Sequence, residues 1–333
     1  MNNNSINVII ASIIFSIIIA LVAYFLLIHF VVEVDLQKNQ RELAILDFYE
    51  QPHDGDFFII GSSLVYEGID AYLIEDYLQK QGINRSVYNL GMSADKPLSR
   101  LPELEKLISS KPEVVVIGLN YDDLTNSTNI YDDRLALVSQ RISRDEEYQT
   151  LLNDTQIKLL KQSPSENLFY NRKFILTSIY HFLRDILFKR ENLNRGETFA
   201  TNFKDPWNLK TNWTESEKIE VGKKYNKNAT PVFSDLNPQK KALLYTLNKL
   251  QQNNIEVIIV NMPIDPYYSN NINESTRQNF FDFLNTTGVP WFDYEREYPS
   301  DFFADTEHMN VAGRTNFSPK VAELLTSFFK KGM

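Results

Sequence analysis

Four stretches of the chain are almost continuously apolar: Phe57–Ile60 (FFII), Val87–Leu90 (VYNL), Val114–Ile117 (VVVI) and Val257–Val260 (VIIV). A weaker fifth follows at Pro290–Asp293 (PWFD). A strand with one face in water alternates polar and apolar residues, whereas a near-continuous run marks a parallel strand buried on both faces. Helical patterns separate the runs at Ile69–Gln81, Arg100–Ser109, Pro238–Asn253 and Glu274–Asn285, and Pro319–Lys330 closes the chain. This alternation predicts a doubly wound α/β sheet of five parallel strands.

The ends of the runs carry the polar residues of interest. The first stops at Gly61-Ser62-Ser63, the second leads into "NLGMSAD" with Gly91, and the third into "GLNY" with Asn120. Consecutive parallel strands open on one edge, so Ser63, Gly91 and Asn120 can converge despite separations of 28 and 29 residues. Late in the chain "FFADTEHMNVAG" supplies Asp305 and His308, three residues apart.

Each part suits acyl transfer. A serine hydroxyl needs a base to take its proton, a histidine titrates in the right range, and an aspartate orients the ring and stabilises the imidazolium. The backbone N–H groups of Ser63 and Gly91 and the Asn120 amide are candidate oxyanion donors, and glycine at 91 would leave room for a carbonyl oxygen. Taken singly these residues also have structural readings: a turn, a serine cap, a helix-capping asparagine. The joint arrangement favours a site.

The residues Ser63, Gly91, Asn120 and the pair Asp305-x-x-His308 resemble the SGNH (GDSL-type) hydrolase superfamily, in that chain order. The resemblance covers roughly residues 56–124 and 238–330. It implies a flavodoxin-like α/β/α sandwich with a five-stranded parallel sheet, Ser63 as nucleophile, His308 and Asp305 completing a triad, and an oxyanion hole of Ser63, Gly91 and Asn120. Two departures stand out: the usual G-D-S reads Gly61-Ser62-Ser63, and Asn120 is followed by Tyr121 before Asp122. The Gly-Ser-Ser form and the "GID" after it resemble a cell-surface branch that includes the D-alanyl-lipoteichoic-acid protein DltD and the alginate O-acetylation proteins. That branch implies acyl chemistry on an acylated glycan or glycolipid, with a membrane-embedded acyl carrier or acyltransferase as a possible partner. The alternative reading is a catalytically inactive binding or assembly protein of the envelope on the same fold.

Composition narrows the rest. The net charge is −9, which disfavours nucleic acid as a partner. Cysteine is absent, which removes thiol catalysis, thiolate metal sites and disulfides. The four histidines, His29, His53, His181 and His308, form no metal-ligand motif, so no cofactor is expected. The acidic pairs Asp122-Asp123 and Asp132-Asp133 are expected on a solvated face.

Residues 8–32, "VIIASIIFSIIIALVAYFLLIHFVV", hold no charge and are long enough to span a bilayer. With no basic start and no small-residue cleavage site, this is expected to be an uncleaved anchor. Lys38 and Arg41 follow it and no basic residue precedes it, which by itself favours a cytoplasmic body. Nine N-x-S/T sequons and the family resemblance favour an extracytoplasmic one, which is the expectation here. The chain thus reads as an anchor at 1–32, a stalk at 33–55, and a hydrolase-like domain at 56–333 with an insertion at about 121–236. Within the insertion, Arg172–Arg190 is an amphipathic helix with basic ends, read as a cover for the domain or as a lid or membrane-facing surface. His181 is expected to be packed within it.

Overall fold

The structure, a computed structural model, describes residues 40–93, 95–124, 212–225 and 237–332, together with 12, 14–16, 18–19, 148, 150–151 and 203–204. The chain divides into two compact units, 1–43 with 163–196, and 44–162 with 197–333. In the first, the six positions described between 12 and 19 are helical. Apart from those six positions the anchor expected at 8–32, with His29, lies outside the described residues, as do the segment Arg172–Arg190 with His181 and most of the insertion at 121–236. Among the described residues, no helix is long and apolar enough to cross a membrane.

The second unit is built on a five-stranded sheet in the order β2-β1-β3-β4-β5. The strands are β1 (Phe57–Gly61), β2 (Val87–Asn89), β3 (Val114–Leu119), β4 (Glu256–Asn261) and β5 (Trp291–Asp293). All four pairings are parallel. Every apolar run expected to be a strand is one, with ends moved by a residue or two. Phe57, Phe58, Ile59, Val115, Val116, Ile258, Ile259 and Val260 are all fully buried. Each such side chain is worth about 1.5–3 kcal/mol of hydrophobic transfer, and burial on both faces is what continuous apolarity records. The edge strand β5 has its Phe292 and Asp293 exposed, in keeping with its weaker pattern.

The register aligns the strand ends. Gly61 lies opposite Gly118, Leu119 opposite Asn261, and Asn261 opposite Asp293. Because β2 and β3 flank β1 on opposite sides, the connections from β1 to β2 and onward to β3 reverse direction there, which opens a crevice at the carboxyl edge.

The described helices are α1 (Gln40–Phe48), α2 (Ser63–Gly68), α3 (Ala71–Lys80), α4 (Pro97–Arg100), α5 (Leu104–Ser109), α6 (Glu215–Tyr225), α7 (Pro238–Gln252), α8 (Pro266–Ser269), α9 (Glu274–Thr286) and α10 (Val311–Gly332). Three depart from expectation. A short helix not expected from the sequence, α2, precedes the one expected at Ile69–Gln81, and Asp70 accepts from the Tyr72 and Leu73 N–H groups (3.1 and 3.2 Å) to start α3 afresh. Before α5, Pro102 lacks the N–H a continuous helix needs, and Leu101–Glu103 winds as a 3₁₀ turn. Finally, α10 begins eight residues before Pro319, taken from sequence as the helix start. Phe317, Val321, Ala322 and Leu325 form a buried stripe along α10, and that burial outweighs the roughly 3 kcal/mol an interior proline costs. This longer helix packs against α2 and α3, while α7 packs against α4.

Candidate active site

The turn after β1 explains its own sequence. Gly61 has φ +151°, and a Cβ there would lie 2.4 Å from the Gly118 carbonyl oxygen and 2.6 Å from Val65 Cγ2. Only glycine fits. Ser62 occupies the N-cap of α2, and its main-chain oxygen accepts from Val65 and Tyr66 N–H (3.1 and 3.2 Å). Its side chain makes no capping bond, so a hydroxyl cap is not the reason for a serine there. Ser63 is the first helical residue, whose N–H has no intrahelical acceptor.

The C-terminal loop brings the other two groups. Phe303 and Met309 form an isolated antiparallel bridge, and Ala304 N–H donates to the His308 carbonyl at 2.8 Å, which closes a tight loop over 303–309. Inside it, Asp305 Oδ1 accepts from the Glu307 and His308 N–H groups, both at 2.8 Å. Asp305 Oδ2 lies 2.8 Å from His308 Nδ1, and His308 Nε2 lies 2.8 Å from Ser63 Oγ. A serine, an imidazole and a carboxylate are thus linked in line across 245 residues of sequence.

The electrostatics follow from that geometry. Burial works against a charged His308, but the bond to Asp305 and the charges of Glu67, Asp305 and Glu307 outweigh it and push the imidazole up to about 9. Burial likewise tends to raise Asp305, yet the hydrogen bonds from the His308 ring and from two backbone N–H groups hold it below the usual carboxylate range.

The two remaining expected residues, Gly91 and Asn120, each make a structural contact of their own. Gly91 N–H donates to Asn89 Oδ1 at 3.0 Å, so this donor already has an acceptor. A Cβ on Gly91 would sit 2.6 Å from Tyr66 N and 2.9 Å from Val65 Cγ1. Glycine is required there by the close approach of α2. Asn120 caps the 3₁₀ turn Tyr121–Leu124: its Oδ1 accepts from Asp122 N–H (2.8 Å) and Asp123 N–H (3.3 Å). With the oxygen so committed, the Nδ2 end is fixed as the donor face, and it has no partner among the described residues. The capping role of Asn120 therefore leaves its Nδ2 available as a donor.

The Asp122-Asp123 pair is not on a solvated face. Asp123 is buried and accepts the Asn120 N–H at 2.8 Å, and burial pushes its carboxyl up to about 8. Asp122 accepts from the Tyr268 hydroxyl. The run of acids looked solvated because a 3₁₀ turn folds it inward, which no spacing announces. Asp132-Asp133 lies outside the described residues.

Three residues that sequence reasoning passed over support the site. Asn89 is 1% exposed, and its Nδ2 donates to the Val65 and Ile69 carbonyls at 2.9 and 2.8 Å, closing the end of the helix that Ser63 begins. A polar residue ending an apolar run was the available signal. Lys218 on α6 is buried, and its Nζ donates to the Ser300 and Phe303 carbonyls, both at 2.8 Å, and lies 3.2 Å from Asp265 Oδ2. The ammonium therefore pins the chain just before Asp305. Glu67, four residues after Ser63 on α2, is buried beside His308. Nothing in its local sequence marks it. Among the described residues, no group of three or more acidic or histidine side chains is placed to hold a metal ion.

Residues 226–330 match one protein-family model, a stretch that includes β4, β5, Asp305 and His308 but not Ser63. No curated protein matches the chain. Solved structures similar to it include an acetylxylan esterase from Geobacillus stearothermophilus, at 12% identity over 82% of this chain and 95% of that one, with a TM-score of 0.38. Another is a candidate lipolytic protein of the G-D-S-L family from Desulfitobacterium hafniense, at 9% identity over 81% and 99%, with a TM-score of 0.37. A third is an α/β-hydrolase enzyme from the metagenome of Lake Arreo, at 11% identity over 83% and 95%, with a TM-score of 0.38. The fold assignment rests on the order and register of the sheet rather than on these likenesses.

Proposed function

We propose that this chain is a membrane-anchored serine esterase or O-acyltransferase of SGNH type, acting on acyl groups of a cell-surface glycan or glycolipid. The observation that carries the reading is the in-line set Ser63 Oγ, His308 Nε2, His308 Nδ1 and Asp305 Oδ2, with 2.8 Å at each contact. A hydrogen-bonded serine–imidazole–carboxylate set is the arrangement that activates a hydroxyl nucleophile.

Ser63 Oγ attacks the acyl carbon while His308 Nε2 takes its proton, and Asp305 stabilises the imidazolium. The tetrahedral oxyanion is met by Ser63 N–H and Asn120 Nδ2, with Gly91 N–H joining only by sharing or leaving Asn89 Oδ1. Collapse breaks the bond to the leaving alcohol, which takes the proton from His308, and an acyl-serine remains. A second hydroxyl then repeats the steps in reverse: water gives hydrolysis, and a glycan hydroxyl gives transfer. The anchor at 8–32 would hold the catalytic unit at the outer membrane face, beside a membrane-embedded acyl carrier.

The test is to expose the full chain in detergent micelles to p-nitrophenyl acetate and, separately, to a fluorophosphonate, and to record intact mass. One acetyl or one phosphonyl adduct located on Ser63 supports the reading. Absence of both overturns it and leaves the inactive binding protein.

A further inference from the structure

We infer that Glu67 is a positioning residue that acts on His308, adding a second, buried carboxylate beside the imidazole that Asp305 already holds. Its consequence for turnover rests on the acyl-transfer reading above, but the coupling itself does not.

Glu67 lies one helical turn after Ser63, on the same face of α2. It is 5% exposed, and its Oε2 is sealed from solvent with no hydrogen-bond partner among the described residues. Arg314 of α10 directs Nη1 to the main-chain carbonyl of Glu67 at 3.1 Å. Buried carboxylates without a partner are costly and uncommon, and this one lies one turn along α2 from Ser63, whose hydroxyl is 2.8 Å from His308 Nε2.

The charged groups around the pair are few. Asp305 and Glu307 come from the loop of His308 itself, Glu67 from α2, and Arg314 from α10. Burial pushes Glu67 up to about 7, against the pull of His308 and Arg314 and with the push of Asp305. At acid pH Glu67 is therefore neutral. Once ionised, it adds a second negative charge beside the imidazole and favours imidazolium. The two groups titrate as a coupled pair. In acyl transfer the imidazolium forms with the tetrahedral intermediate, so Glu67 supports the same charge that Asp305 does.

The experiment is a ¹³Cε1 NMR titration of the full chain in micelles. With four histidines, the His308 resonance is assigned by its loss in His308→Gln. In the wild-type chain a two-step curve is expected, with an inflection from Glu67 below the main one. In Glu67→Gln and Glu67→Met the lower step disappears and the main midpoint falls by about one pH unit, the usual effect of removing a nearby opposite charge. Glu67→Asp, which keeps the charge, retains the two steps. A single-step wild-type curve, which needs no variant to fold, overturns the inference, as does an unchanged midpoint in folded Glu67→Gln. The pH profile of nitrophenyl acetate hydrolysis should move with the midpoint. If the chain shows the coupling but Ser63 takes neither the acetyl nor the phosphonyl adduct, the inference stands and the acyl-transfer reading falls.

Discussion

Gly91 gives its backbone N–H to the Asn89 side chain at 3.0 Å, and the same carboxamide donates to the Val65 and Ile69 carbonyls of α2. One buried amide thus ties the end of β2 to the helix that presents Ser63. Asn89→Leu removes a donor from both carbonyls and the side-chain acceptor of the Gly91 N–H at once, although the Val65 carbonyl keeps the Ile69 N–H. It should cost on the order of 3 kcal/mol in urea unfolding, where a surface substitution costs a few tenths. A loss below about 1 kcal/mol would mean that α2 is held by its apolar contacts alone.

His308→Ala and Ser63→Ala should each remove p-nitrophenyl acetate turnover without changing the far-UV circular dichroism. Both side chains lie at the sheet edge and are partly accessible, so neither supports the core. Turnover surviving in either variant would show that the 2.8 Å contact between them is not the reacting one.

Asn120 can be divided into its two ends. Asn120→Asp keeps an oxygen to cap Tyr121–Leu124 and loses the Nδ2 donor. It should leave the melting temperature within a few degrees and lower kcat by about 10²–10³, the usual cost of one oxyanion donor. Asn120→Ala loses both ends and should add a stability loss of about 1 kcal/mol from the missing cap. A variant Asn120→Asp with near-normal kcat would reduce the residue to its capping role.

Activity should rise with pH later than an ordinary histidine allows. His308 acts as base only when neutral, and with its pKa pushed up to about 9 the acid limb of kcat/KM should be centred near there rather than near 6.5.

Stability runs the other way. Asp123, Glu67 and His308, raised to about 8, 7 and 9 from ordinary values of 3.8, 4.5 and 6.5, hold more protons folded than unfolded across those intervals. Stability from each is full below its unfolded value and is lost as pH rises through its folded one. Asp305, held low, loses its contribution as pH falls below about 3.8. Thermal melting should therefore be highest in mildly acidic buffer and decline towards pH 9; a flat or rising profile would contradict the buried, protonated state of Asp123.

A chain beginning at Glu33 should stay in the aqueous phase of a detergent partition, whereas the full chain should enter the detergent phase. If the shortened chain still partitions with detergent, membrane binding resides elsewhere, and the amphipathic segment Arg172–Arg190 is the first candidate.

The sequence by itself determined the sheet. Strands buried on both faces must be apolar at nearly every position, so FFII, VVVI and VIIV could be little else, and parallel strands must send their ends to one edge. That put Ser63 and Asn120 at the ends of β1 and β3, and the D-x-x-H spacing marked the loop that carries Asp305 and His308.

Tertiary structure alone decided the rest, for one physical reason: a polar group's role depends on which partner reaches it through space, and spacing along the chain does not encode that. Asn89 takes the Gly91 N–H, and α2 comes close enough to Gly91 to exclude a side chain. Asp123 turns inward to cap the Asn120 amide, and α10 runs through Pro319 because the stripe from Phe317 to Leu325 is buried. Glu67 reads as an ordinary helix residue until α2 and the 303–309 loop are packed together. Only then does a carboxylate 241 residues from His308 become its neighbour.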